Sequence, residues 1–157
     1  MHANAALLTQ FYEAFARRDG AAMAACYAPD ATFSDPVFVG LKGDECGAMW
    51  RMLTEQGKDL TVTFSDVQAD DNSGSAKWEA RYRFSVTGRN VHNVISAEFT
   101  FKDGKIATHQ DTFDLYKWTR MALGPIGAAL GWSPIVQKPL RKKARGNLES
   151  WIKRSAK

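Results

Sequence analysis

Trp78-Glu-Ala-Arg-Tyr-Arg-Phe-Ser-Val86 and Val91-His-Asn-Val-Ile-Ser-Ala-Glu-Phe-Thr-Phe101, joined by Thr87-Gly-Arg-Asn90, decide the architecture. In the first run Trp78, Ala80, Tyr82, Phe84 and Val86 alternate with Glu79, Arg81, Arg83 and Ser85, the two-residue period of a half-buried strand. In the second, Val91, Asn93, Ile95, Ala97, Phe99 and Phe101 share one face. Lys102-Asp-Gly-Lys105 reads as a hairpin of the Asp-Gly kind, and a last strand is expected from Ile106 to about Tyr116. The two-residue period begins near residue 60, so this half of the chain predicts a four-stranded antiparallel meander.

Upstream the period is helical. Leu8, Phe11, Tyr12 and Phe15 form one apolar stripe on a helix expected over Ala5 to Arg18, which the Arg17-Arg-Asp-Gly20 run ends. A short helix from Ala21 to Tyr27 follows, then a strand from Ala31 to Ser34 that ends at Asp35-Pro36. A third helix, about Asp44 to Gln56, can turn Met49, Trp50 and Leu53 inward while exposing Arg51 and Glu55. Helices followed by a meander make an α+β fold, not the alternation of a parallel α/β sheet.

The chain has 157 residues, 45% hydrophobic and 24% charged, ordinary for one globular domain. No basic-then-apolar leader opens it, and Met121 to Gln137, its longest uncharged stretch, is broken by three Gly and two Pro. Cys26 and Cys46 lack metal-ligand spacing and read as free thiols of a cytoplasmic protein. The net charge of +4 is uneven. Residues 138–157 hold eight Lys/Arg against one Glu, and the remainder sums to −3, which argues against a nucleic-acid partner. His2, His92 and His109 offer no metal-binding pattern, and neither a Gly-rich phosphate loop nor a G-x-S-x-G elbow occurs. No metal and no cofactor are expected.

Ala28-Pro-Asp-Ala-Thr-Phe-Ser-Asp-Pro-Val37, with the helices before it, resembles the start of bacterial ketosteroid isomerases. Gly104-Lys-Ile-Ala-Thr-His-Gln-Asp-Thr-Phe-Asp-Leu115 resembles the last strand of limonene-epoxide-type hydrolases and, more loosely, of SnoaL-like polyketide cyclases. The resemblance spans roughly residues 5–118 and implies the nuclear transport factor 2-like superfamily, a cone-shaped curved antiparallel sheet packed on N-terminal helices. Residues 1–118 would form that domain, and residues 119–157 a C-terminal helical lid and basic tail packed on it. The superfamily hosts isomerases, hydrolases, cyclases and binding modules, so it names no reaction.

By the same resemblance, Asp35 falls at the isomerases' carboxylate base, and Asp111 at the carboxylate with which the epoxide hydrolases activate water. Two departures matter. The isomerases' oxyanion donors are replaced by Phe11 and Ala97, and the hydrolases' Arg-x-Asp pair corresponds to Trp78 and Ala80. Both mechanisms are therefore incomplete. Read from the residues alone, Asp35 is an Asx turn before Pro36, and only the resemblance brings the general-base reading level with it. His109 and Asp111, two apart on a strand, project from one face, either into a pocket as an acid/base pair or onto a polar outer surface. Asp114, of the opposite parity, is a reserve candidate that a bulge could turn inward. Phe11, Phe15, Trp50, Trp78, Tyr82, Phe99 and Phe113 are the expected apolar lining of a substrate pocket.

Three functions are consistent with these residues. One is a cofactor-independent acid/base enzyme (isomerase, cyclase, hydratase or hydrolase) acting on a small apolar molecule through Asp35, His109 and Asp111. The second is a non-catalytic binder of a lipid-like ligand, and the third a protein or membrane-surface interaction module. Leu123 to Trp132 is expected to fold over the cavity. Pro139 to Ala156 reads as a basic helix with Leu140, Ala144, Leu148, Trp151 and Ile152 on one stripe, packed on its own domain in preference to a membrane surface. The weakly charged outer face, His92, Val94, Ser96 and Thr100, predicts a homodimer.

Overall fold

A computed structural model describes residues 2–155. Helix α1 (Ala3–Ala16) starts where His2 Nδ1 accepts from the Asn4 N–H, two residues before the sequence places it. It buries Leu8, Phe11, Tyr12 and Phe15 as one stripe. Helix α2 (Gly20–Ala24) is capped by the Asp19 carboxylate on the Ala22 N–H. It ends before Tyr27, short of the helix that the sequence predicts. Tyr27 instead opens strand β1 (Tyr27–Ser34), because Ala28 precedes Pro29 and must be extended. A two-residue strand β2 (Leu41–Lys42) leads into α3 (Asp44–Gln56), whose bounds coincide with those expected.

The meander forms as β3 (Thr61–Ala69), β4 (Ser73–Phe84), β5 (Arg89–Lys102) and β6 (Lys105–Thr112). The inner face of β5 is the expected one. Asp103 and Gly104 both take positive φ, 52° and 76°, the backbone that a two-residue hairpin demands. Val86 departs from expectation: β4 stops at Phe84, and Val86 sits exposed in the turn.

The sheet has six strands in the order β2-β1-β6-β5-β4-β3. It is not wholly antiparallel, because β1 runs parallel to β6, with Phe33 opposite His109 and Ser34 opposite Gln110. That pairing joins segments about 75 residues apart, which local periodicity does not report. Register shifts in β1, β3 and β5 bend the sheet around α1. The main core lies between its inner face and helices α1 and α3.

Strand β6 ends four residues earlier than expected. Asp114 is the exposed N-cap of α4 (Leu115–Leu123), accepting from the Lys117 N–H, so it is removed as a pocket candidate. Leu115, Trp118 and Ala122 of α4 cover Val91, Phe84 and Tyr82 at one end of the sheet. Helix α5 (Pro125–Leu130) comes next, with Gly127 packed so closely against α4 that a Cβ there would collide with the Thr119 carbonyl. Helix α6 (Pro134–Ser155) begins five residues before the expected start and carries Pro139 in its second turn; Ala156, the expected end, lies outside the described residues. Its Leu148 is fully buried, and it is tied to the domain by Arg145 on Glu45 at 3.2 Å and by Trp151 Nε1 on Glu55 at 2.7 Å.

Candidate active site

The parallel β1–β6 seam places the polar groups. Phe33 pairs with His109 and Ser34 with Gln110; Asp35 follows the last paired residue of β1, close enough that the charge of Asp111 acts on its carboxyl. Strand parity turns Phe33, His109 and Asp111 to the inner face.

His109 and Asp111 are buried and bonded, with Nε2 and Oδ1 2.7 Å apart. On the other side of the imidazole, Nδ1 lies 2.8 Å from the Tyr27 hydroxyl, which in turn accepts the indole N–H of Trp50 at 2.7 Å. The direction of this chain follows from its first member. An indole nitrogen only donates, so the Tyr27 oxygen accepts from Trp50 and its own O–H is free to point at Nδ1. Nδ1 is then the acceptor, Nε2 carries the proton, and that proton is donated to Asp111. Trp50 and Tyr27 thus select the His109 tautomer that holds the Asp111 carboxylate.

Aromatic rings enclose the imidazole: Phe99 at 4.2 Å between centroids, Phe33 at 4.8 Å, Phe11 at 5.7 Å, and Trp50 and Tyr27 at 6.1 Å. Of the residues expected to line a pocket, Phe11, Phe15, Trp50, Trp78 and Phe99 pack against one another in the main core, while Tyr82 and Phe113 are only partly buried. The Tyr82 hydroxyl accepts from Trp118 Nε1 at 2.7 Å, which fixes α4 to the sheet. Burial raises the Tyr82 hydroxyl above its usual range, with the charge of Asp35 adding and the Trp118 bond opposing.

Asp35 forms the Asx turn that its position before Pro36 suggests. The N–H groups of Val37 and Phe38 both donate to Oδ1, at 2.7 and 2.6 Å. Burial of the carboxyl nevertheless pushes it from 3.8 up to about 7, against the pull of those two N–H groups and with the charge of Asp111 adding. Both bonds fall on Oδ1, so among the described residues Oδ2 has no protein donor.

Residues missed from sequence complete the picture. Tyr27 was hidden by its assignment to a helix, although the Ala28-Pro29 step marked it as extended. Tyr12 belongs to the α1 stripe. Its hydroxyl is buried without a hydrogen-bond partner among the described residues, and so is the Trp78 indole N–H, with the two rings 6.4 Å apart. Burial, then the charge of Asp111, raises the Tyr12 hydroxyl well above its usual range. Ala97, opposite Asp111, and Ala76, opposite Ala97, put small side chains across the sheet at that level. Cys26 and Cys46 are buried, and burial raises both thiols, Cys46 to about 11, so neither is poised as a nucleophile.

Solved structures with the same fold include a putative SnoaL-like polyketide cyclase from Jannaschia sp., 15% identical, with a TM-score of 0.67 over 78% of this chain and 93% of that one. An LEH-like epoxide hydrolase of M. tuberculosis is 17% identical, with a TM-score of 0.62 over 83% of this chain and 97% of that one. A protein with a ketosteroid isomerase-like fold from Catenulispora acidiphila, in complex with trimethylamine, is 13% identical, with a TM-score of 0.65 over 76% and 93%. At these identities the likeness establishes the fold alone. No curated protein matches the chain. The sequence profile of the SnoaL-like domain matches residues 8–109, about two thirds of the length, and the chain belongs to that family.

Proposed function

We propose that this protein is a cofactor-independent acid/base enzyme that moves a proton on a small, largely apolar molecule held at the Asp35–Asp111 end of the cone. The observation that carries this reading is the buried run Trp50–Tyr27–His109–Asp111, which ends beside a second carboxyl, that of Asp35. A purely structural core has no need to bury an imidazole–carboxylate pair and fix its tautomer, since apolar groups of the same shape fill space without desolvating charge. In this reading Asp111, oriented by His109, takes the proton. Asp35, near pH 7 in its affinity for a proton, delivers one at a neighbouring atom or takes it back.

The test is exchange of carbon-bound hydrogen. A panel of small cyclic ketones is incubated with the protein in deuterium oxide, and loss of the α-C–H signals is followed by NMR. Opening of small epoxides is followed in parallel. The expected result is exchange or opening above the buffer rate in wild type, lost in Asp111→Asn, with a limb near pH 7 lost in Asp35→Asn. The aromatic enclosure equally suits a non-catalytic binder of a lipid-like ligand. Compounds that shift the tryptophan fluorescence of wild type and Asp111→Asn alike, with no chemistry in either, would favour that second reading.

A further inference from the structure

Among the described residues, seven large apolar side chains are exposed, and six of them gather at one end of the molecule: Val39, Val86, Ile126, Leu130, Trp132 and Ile135. The seventh, Val94, is on the outer face of the sheet. The connections place the six together. Val86 lies in the β4–β5 turn, where the Thr87 hydroxyl donates to the Ala122 carbonyl of α4. Val39 lies in the loop after Pro36, whose carbonyl accepts from Arg141 of α6 at 2.8 Å. Ile126 and Leu130, four apart, share the outer face of α5, and Trp132 and Ile135 follow on the turn into α6. This is also the end at which β1 and β6 deliver Asp35 and Asp111.

The exposure is not that of a fraying segment. Trp132 is 67% exposed while its Nε1 donates to the Ala129 carbonyl at 3.1 Å, so the ring is held outward by the end of α5. Gly127 and Gly131, both buried, pack against Thr119 and leave the apolar side chains no inward course. The apolar stripe of α6 faces the domain, with Leu148 at its centre. The opposite face of α6 presents Ile135, Lys138, Lys142 and Lys143, all exposed. From Leu115 to Leu148 the chain holds seven Lys/Arg and no Asp or Glu.

We propose that this end docks on an anionic lipid bilayer, with Trp132, Ile135, Ile126 and Leu130 in the interfacial zone and Lys138, Lys142 and Lys143 on the headgroups. Two observations select this occupant. A rigid Trp- and Ile-bearing tip flanked by lysines matches an interface that is apolar below and negative above. A second copy of the same end would instead set Lys138, Lys142 and Lys143 against the same three cations. Ile126, Leu130, Trp132, Ile135 and the three lysines all lie beyond the matched SnoaL-like segment, which ends at residue 109. No helix among the described residues is long and apolar enough to cross a membrane, which makes this a surface contact. Docking in this pose would bring the Asp35–Asp111 end against the phase in which an apolar molecule dissolves.

The test is co-sedimentation of the full chain with vesicles of phosphatidylcholine alone and of phosphatidylcholine mixed with phosphatidylglycerol in equal parts, at low and high salt. Wild type is expected to pellet with the mixed vesicles at low salt, to be released by high salt, and to leave pure phosphatidylcholine largely in the supernatant. Trp132→Ser with Ile135→Ser should weaken partitioning by about tenfold or more, given the apolar area removed. Lys138→Glu with Lys142→Glu should weaken it by about twentyfold or more. All four positions are exposed, and circular dichroism checks that both variants stay folded. Absence of wild type from both pellets, equal binding to both vesicles, or undiminished binding of the Ser variant would overturn the proposal. So would a dimer in light scattering that the Ser variant turns into monomers while wild type ignores vesicles, since the tip would then be a self-association surface.

Discussion

Replacing Asp35 by Asn isolates the energetic consequence of burying a carboxyl at the end of β1. The amide keeps an Oδ1 that can accept from the Val37 and Phe38 N–H groups, so the Asx turn survives while the titration disappears. In the folded protein the Asp35 carboxyl is raised from 3.8 to about 7. Between those two values the folded state holds a proton that the unfolded state has released, so stability falls as pH rises through this window and is level above it. At about 1.36 kcal/mol per pH unit the full effect would be roughly 4 kcal/mol. The residue is only partly buried, and solvent screening reduces the expectation to about 2 kcal/mol. Asp35→Asn should therefore match wild type at about pH 3–4 and exceed it by about 2 kcal/mol near pH 8, or about 4–8 °C in Tm. Urea unfolding followed by tryptophan fluorescence at a series of pH values measures the difference, in which the other carboxylates cancel. A difference that is constant with pH, or an Asn variant less stable than wild type at pH 8, would refute the burial argument.

Two tyrosines offer a matched contrast: Tyr27→Phe strips Trp50 and His109 of their shared partner and should cost about 2–4 kcal/mol. Tyr12→Phe removes a hydroxyl that has no partner among the described residues and should cost nothing or stabilise slightly, both read from denaturant midpoints. Isomerisation of a Δ5-3-ketosteroid should stay near background despite Asp35, because losing one oxyanion donor costs about 2.7–4 kcal/mol and both are absent at Phe11 and Ala97. Efficient turnover in a direct absorbance assay, lost in Asp35→Asn and in Tyr12→Phe, would show Tyr12 acting as the replacement donor. His109 cannot fill that place, as both its nitrogens are engaged. Self-association through the outer sheet face around Val94 and Thr100 should give a dimer mass by light scattering at tens of micromolar protein, and a monomer there would refute it.

What could be read from the sequence was what neighbouring residues decide. Alternation through β4 and β5 marked the inner face, Asp103-Gly104 required a hairpin, and the stripe on α1 required a sheet to cover it, because each depends only on backbone geometry a few residues long. Local reading failed where two local signals competed: Tyr27 continued a helical run but preceded an Ala-Pro step, and Asp114 continued a strand but suited an N-cap. The candidate site was legible only as separate residues, Asp35 in one segment and His109 and Asp111 in another. The parallel seam that sets them side by side is a long-range pairing, and its register was fixed by which faces could be buried together. Tertiary structure alone decided the rest. Folding desolvated Asp35, the orientation of Trp50 and Tyr27 chose the His109 tautomer, and the packing of Gly127 and Gly131 on Thr119 left Trp132 and Ile135 facing outward. Burial is a property of what lies across space from a side chain, and a sequence lists only what lies beside it along the chain.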